Sequence, residues 1–186
     1  SYMIALVTGA SSGIGKDIAV ELAKKGYDII AVARNEDRLI ELKTYIENNI
    51  SNRRVFVKIC DLSVADNCIK LHDDIFNDFG TIDVLINNAG FGTCGRFTDT
   101  SLDKEINMID TNIKALHILM KLFLQDMCKS NIGYIMNVAS IAGFMPGPLM
   151  TAYYSSKAYV VRMSQSIYEE LKRAKSNVKI GILCPG

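Results

Sequence analysis

Met3-Ile4-Ala5-Leu6-Val7-Thr8-Gly9-Ala10-Ser11-Ser12-Gly13-Ile14-Gly15 joins an apolar run to a glycine- and serine-rich turn and then to a helical pattern. The run at 3–7 is short and continuously apolar, as suits a buried strand. Beyond the turn, Ile14, Ile18, Ala19 and Leu22 recur at helical spacing and stop near Gly26, a natural helix end. A strand, a glycine turn and a helix N-terminus together make an anion site. Free backbone N–H groups and the positive end of the helix dipole face the ligand. Gly9, Gly13 and Gly15 remove the side chains that would hold a pyrophosphate away. Their spacing is Gly-x3-Gly-x-Gly, not the Gly-x-Gly-x-x-Gly of the usual dinucleotide fingerprint. The alternative is a turn that only joins strand to helix.

The alternation continues to the end of the chain. Strands are predicted at 4–7, 28–33, 55–59, 84–86, 132–138 and 178–183, and helices at 14–25, 37–49, 65–79, 103–129 and 152–174. This order predicts an α/β fold: a doubly wound, mainly parallel sheet with helices on both faces, in three layers. No Pro/Gly/Ser-rich linker, repeat or low-complexity tract divides it, so one domain over 1–186 is expected. In such sheets ligands bind beyond the carboxyl ends of the strands. Gly9, Arg34, Asp61, Asn87, Ser140 and Pro185 each follow one of the predicted strands, and so converge on one edge.

Composition narrows the function classes. Apolar residues make up 49% of 186 residues, enough for one domain with a substantial core. Twenty-one basic against 20 acidic residues leave a net charge of +1 without a basic stripe, so no nucleic-acid partner is expected. No apolar run reaches the ~20 residues that span a bilayer, and no secretory signal pattern is present, so no membrane association is expected. Cys60, Cys68, Cys94, Cys128 and Cys184 lack Cys-x-x-Cys spacing and have only His72 and His117 for company. They form no recognisable metal site and fit the free thiols of a reducing cytoplasm.

A second constellation lies in the last third. Tyr153 and Lys157 are four residues apart on a predicted helix and share one face, with Ser140 thirteen residues before Tyr153. A cation beside a phenol favours the phenolate, which suits proton exchange with a carbonyl oxygen. A half-buried tyrosine with a snorkelling lysine would show the same spacing.

Taken together, these features resemble the short-chain dehydrogenase/reductase family. The marks are Thr8 to Gly15, Asp61-Leu62-Ser63, Asn87-Asn88-Ala89-Gly90, Asn112, Ser140, Tyr153-x-x-x-Lys157 and Pro185-Gly186, in the family's order and near its spacing. The resemblance covers essentially the whole chain. It implies a Rossmann-type fold, a nicotinamide dinucleotide and a catalytic set of Asn112, Ser140, Tyr153 and Lys157. Tyr153 would be the acid in reduction and the base in oxidation, assisted by Lys157, which would also bond the nicotinamide ribose. Ser140 would hold the substrate oxygen. Asn112 would order a water linking Lys157 to solvent, the alternative being an amide on the helix surface.

The cofactor would also meet Gly9, Ser11, Ser12, Gly13, Ile14 and Gly15 at its pyrophosphate. Asp61 and Leu62 would lie near the adenine, Asn88, Ala89 and Gly90 along the cleft, and Pro185 and Gly186 at the nicotinamide end. Asn87 is expected to make a structural or cofactor contact, and Asp61 could instead form a helix N-cap arrangement with Ser63. The second predicted strand ends at Ala33 and Arg34, where an acidic residue would favour NAD(H). A guanidinium can pair with a 2′-phosphate, so NADP(H) is expected over NAD(H). Family members usually continue with a loop, a helix over the substrate and another strand, so the resemblance implies truncation or disorder after Gly186. Leu116, Leu119, Met120 and Phe123 are surplus apolar residues that could pack inward or against a second subunit, and the resemblance implies a homodimer or homotetramer.

The expected activity is an NADP(H)-dependent interconversion of a small-molecule carbonyl and alcohol. Alternatives are a 3-oxoacyl-[acyl-carrier-protein] reductase and a non-catalytic dinucleotide-binding sensor.

Overall fold

A computed structural model describes residues 3–185; Gly186, with the cofactor role expected of it, lies outside the described residues. Six parallel strands form one sheet: β1 (Ile4–Thr8), β2 (Asp28–Ala33), β3 (Val55–Ile59), β4 (Val84–Asn87), β5 (Gly133–Val138) and β6 (Val178–Leu183). Their order is β3-β2-β1-β4-β5-β6, so the chain reverses direction across the sheet between β1 and β4. That reversal opens a crevice at the carboxyl ends of the two central strands.

Side chains on a strand alternate between faces, and β1 divides the core accordingly. Ala5 and Val7 pack with Ala19 and Ala23 of α1 (Gly13–Lys24) and with Leu39, Leu42 and Ile46 of α2 (Glu36–Asn49). Leu6 faces the opposite layer, built from α3 (Ala65–Phe79), α5 (Leu116–Ser130) and α6 (Thr151–Arg173). This is the expected three-layer, Rossmann-type arrangement. Leu116, Leu119, Met120 and Phe123 all pack inward in this second layer, 6% exposed or less, so they leave no surplus apolar surface for a second subunit. No helix among the described residues is long and apolar enough to cross a membrane, and no cluster of metal-binding side chains occurs among them.

The helix expected at 103–129 has three parts: α4 (Leu102–Ile109), a π turn (Asp110–Ala115) and α5. A π turn inserts one residue and rotates the helix beyond it. Ile109 is therefore 43% exposed and Asn112 only 1%, although periodicity alone would place Asn112 among apolar neighbours without a partner. A short 3₁₀ turn, Ile141–Phe144, capped by Ser140, was not expected. Elsewhere element ends move by one residue. β1 runs on to Thr8, paired with Val32, and β4 to Asn87, paired with Asn137.

Candidate active site

The β1–α1 turn is held against the end of β4. Thr8 Oγ1 donates to the Ile86 carbonyl (3.3 Å) and accepts from the N–H groups of Asn88 (2.9 Å) and Ala89 (3.1 Å). Asn88 Nδ2 donates to the Gly9 carbonyl at 3.1 Å. This packing leaves no room for side chains. Gly9 has φ +60°, and a Cβ there would stand 2.9 Å from Asn88 Nδ2; one on Gly15 would strike the Gly9 carbonyl. At the start of α1, Ser12 makes no side-chain cap bond and the first turn has no acidic residue, as at the start of α6, whereas α2, α3 and α4 each have an acidic residue in the first turn. The positive end of α1, which faces the glycine turn, is therefore not neutralised by its own side chains.

A cleft of about 490 Å³ opens beside this turn. Of the expected cofactor residues, Gly9, Ser11, Ser12, Ile14, Arg34, Asp61, Leu62, Asn88, Ala89 and Gly90 line it. Gly13 faces open space and Gly15 lies buried behind the turn. Pro185 follows β6 and is half-buried. Asn35, Cys60 and Thr111 also line the cleft and carried no signal in the sequence. Phe91, directly after the Asn87–Gly90 stretch, lines it too, and Thr8, which opens the glycine-turn motif, holds the turn to β4.

Arg34 is exposed at the cleft and has no ion-pair partner among the described residues. Asp61 accepts from the Ser63 hydroxyl (2.7 Å) and N–H (3.0 Å). These bonds, helped by the Arg34 charge, hold its carboxyl below the usual aspartate value. The bonds form a local turn ahead of α3, whose N-cap is Val64, so Asp61 is not the cap. Asn87 is structural: its Nδ2 donates to Asn137 Oδ1 at 3.0 Å inside the core.

Tyr153 and Lys157 share a turn of α6. Lys157 Nζ lies 5.6 Å from the Tyr153 ring centroid, within reach of a cation–π attraction. Lys157 is 8% exposed, and burial pushes its ammonium below the usual lysine value. The turn headed by Ser140 packs on this same stretch, where a Cβ on Gly143 would come within 2.7 Å of the Lys157 carbonyl. Ser140 Oγ accepts from Ala142 N–H at 3.1 Å. On the other side, a Cβ on Gly92 would stand 3.2 Å from Tyr153 Cδ2, so the loop after β4 covers the phenol ring. That loop borders a second hollow of about 900 Å³, which shares Arg34 and Phe91 with the first.

Asn112 is brought to the same place by the π turn. Its Oδ1 accepts from Phe91 N–H (3.0 Å), while Nδ2 donates to the Phe91 carbonyl (2.8 Å) and to Ser156 Oγ (3.2 Å). The amide is therefore neither on the surface nor free to donate elsewhere, because both of its hydrogens are committed.

A family model described as short chain dehydrogenase matches residues 3–186. An uncharacterized oxidoreductase of Staphylococcus epidermidis is 35% identical over 183 residues, covering 98% of this chain and 76% of that protein. A metagenomic short-chain oxidoreductase solved in complex with NADP superimposes with a TM-score of 0.92 at 31% identity, over 99% of this chain and 82% of the other. A short-chain dehydrogenase/reductase from Burkholderia phymatum in complex with NAD gives a TM-score of 0.92 at 27% identity, over 100% and 66%.

Proposed function

The chain belongs to the short-chain dehydrogenase family of oxidoreductases, and from that premise we propose that it interconverts a small-molecule carbonyl and alcohol using NADP(H). The observation that carries the reading is the buried ammonium of Lys157 beside the Tyr153 ring, under the loop after β4. Burying a charge without a paired counter-charge is costly, and such groups concentrate at functional sites.

A nicotinamide dinucleotide suits the residues present. The uncapped start of α1 offers N–H groups to a pyrophosphate, and Gly9 and Gly15 are fixed as glycines by the packing around them. Arg34 is available for a 2′-phosphate, with Ala33 where an acidic residue would oppose one. The related structures include complexes with NADP and with NAD, so the preference for NADP(H) rests on Arg34. When bound, the dinucleotide supplies or takes up the hydride.

The chain's own residues handle the proton and the oxygen. Tyr153 gives its phenolic proton to the substrate oxygen in reduction and recovers it in oxidation. Lys157 stabilises the phenolate left behind, and its burial strengthens that attraction by excluding water. Ser140, at the mouth of its turn, donates a hydrogen bond to the same oxygen as negative charge develops. Asn112 acts here through the loop and helix it joins.

Calorimetric titration of the protein with NADPH and with NADH tests the cofactor reading. NADPH is expected to bind at least about tenfold tighter, or about 1.4 kcal/mol. Equal affinities, or a preference for NADH, would remove the 2′-phosphate role of Arg34.

A further inference from the structure

Asn112 and Ser156 form a buried relay from the cleft loop to the carbonyl of Tyr153. Asn112 is 1% exposed and Ser156 0%. The amide has one possible orientation, because Phe91 N–H can only donate and the Phe91 carbonyl can only accept. Oδ1 therefore faces the N–H, and the second hydrogen of Nδ2 is left for Ser156 Oγ at 3.2 Å. With Oγ accepting there, its own proton goes to its other neighbour, the Tyr153 carbonyl, at 2.7 Å. Every group in the relay has its role set by its partner.

The helix does not need this last bond. The Tyr153 carbonyl lies inside α6, where the main-chain ladder already supplies a donor. A serine donating back along its own helix perturbs the local geometry and is mildly unfavourable in isolation. At the relay's other end, Phe91 lines both hollows of the site. The π turn that delivers Asn112 is likewise a departure from regular helix, of a kind that concentrates at functional sites.

We infer that Ser156 is a positioning residue: its hydroxyl fixes the helical turn carrying Tyr153 and Lys157 against the cleft loop at Phe91. The inference rests on the proton-transfer role proposed for Tyr153. A displacement well under an ångström at a proton donor is enough to slow a reaction, since misplacement by about 1 Å can cost about a hundredfold.

The test compares the parent protein with Ser156→Ala, Ser156→Thr and Tyr153→Phe. Ser156→Ala removes one oxygen, places a good helix former in α6 and leaves Asn112 bonded to Phe91 with one Nδ2 hydrogen unpaired, so folding of the variant is checked by circular dichroism before rates are compared. The readouts are NADPH oxidation with the fastest compound from a panel of aldehydes, ketones and 3-oxoacyl thioesters, NADPH affinity by calorimetry, and the Tyr153 Cζ resonance in ¹³C-tyrosine-labelled protein. Loss of that resonance in Tyr153→Phe assigns it.

For Ser156→Ala we expect kcat to fall about tenfold, KM and the NADPH Kd to stay within about twofold, and the Cζ resonance to move. Ser156→Thr, which keeps the hydroxyl, recovers most of the rate; if it misfolds, the Ala comparison decides. Parental kcat and an unmoved resonance in Ser156→Ala, with Tyr153→Phe inactive, overturn the positioning role and leave the proposed function standing. A parent that turns over nothing, or a fully active Tyr153→Phe, overturns the functional reading and this inference with it.

Discussion

Lys157 holds an ammonium at 8% exposure, where burial works against its charge. Lys157→Met keeps the length of the side chain and removes the charge, so it is expected to stabilise the fold by about 1 kcal/mol at neutral pH while turnover is lost. The sign comes from the depressed value. Below the folded pKa the lysine is protonated in both folded and unfolded protein, and the penalty is fully present. As pH rises through that value toward the unfolded one, the folded protein releases its proton first and the penalty fades. The stability gap between variant and parent, read from urea melts, therefore narrows with rising pH. A variant less stable than the parent at neutral pH would contradict this. At the cofactor end, Arg34→Ala is expected to weaken NADPH by about tenfold or more and NADH by less than about threefold, read by calorimetry; equal weakening of both would remove the 2′-phosphate role. Tyr153, Lys157 and Ser140 were legible because their residue types and spacing carry chemistry. Ser156 was not, because a serine inside a helix has no sequence signal until its neighbours across space are known.

Helix α6 is moored to the rest of the fold by two asparagine–serine links. One is Asn112 to Ser156; the other runs from Asn87 through Asn137 Oδ1 and from Asn137 Nδ2 to Ser164 Oγ at 2.8 Å, ending on the Val160 carbonyl at 2.7 Å. Asn137 is fully buried and supplies both middle contacts. Asn137→Ala would leave the Asn87 amide without that acceptor and open a small void. The expected cost is about 3 kcal/mol in urea unfolding, against well under 1 kcal/mol for a surface change. A loss below about 1 kcal/mol would mean that the chain of bonds contributes little. At this scale strands were easily read, because central parallel strands are continuous apolar runs. Their ends shifted where a side-chain bond, such as that of Thr8, decides the last residue. The π turn was hidden because Ile109, Ile113 and Leu116 keep a helical spacing across Asp110–Ala115, and the inserted residue shows only in the backbone and in the burial of Asn112 against Phe91 and Ser156. The Ser140 turn was hidden by Gly143, Pro146 and Gly147, which read as loop.

For the whole molecule, β–α alternation implied a doubly wound sheet, but alternation does not give strand order. The placement of β1 beside β4 fixes where the crevice opens and sets Thr8 against Asn88 and Ala89. Glycine turn, Arg34, Asp61 and the Asn88–Gly90 stretch are brought to one cleft by that order, while Tyr153 and Lys157 lie together on α6 and the turn headed by Ser140 packs on the same helix. The loop at Phe91 and Gly92 lies between the two groups, lining the cleft and touching Asn112 and Tyr153. Holding a nicotinamide ring between these groups would unite hydride and proton transfer in one site, so the proposed function depends above all on the joint behaviour of cofactor and phenol. The sharpest test is the initial rate of NADPH oxidation by the parent and by Tyr153→Phe over a panel of aldehydes, ketones and 3-oxoacyl thioesters. The parent is expected to turn over at least one class, and Tyr153→Phe to lose about a hundredfold or more while its NADPH affinity stays within about twofold. Tyr153→Phe turning over at the parental rate would contradict a proton-transfer role for the phenol.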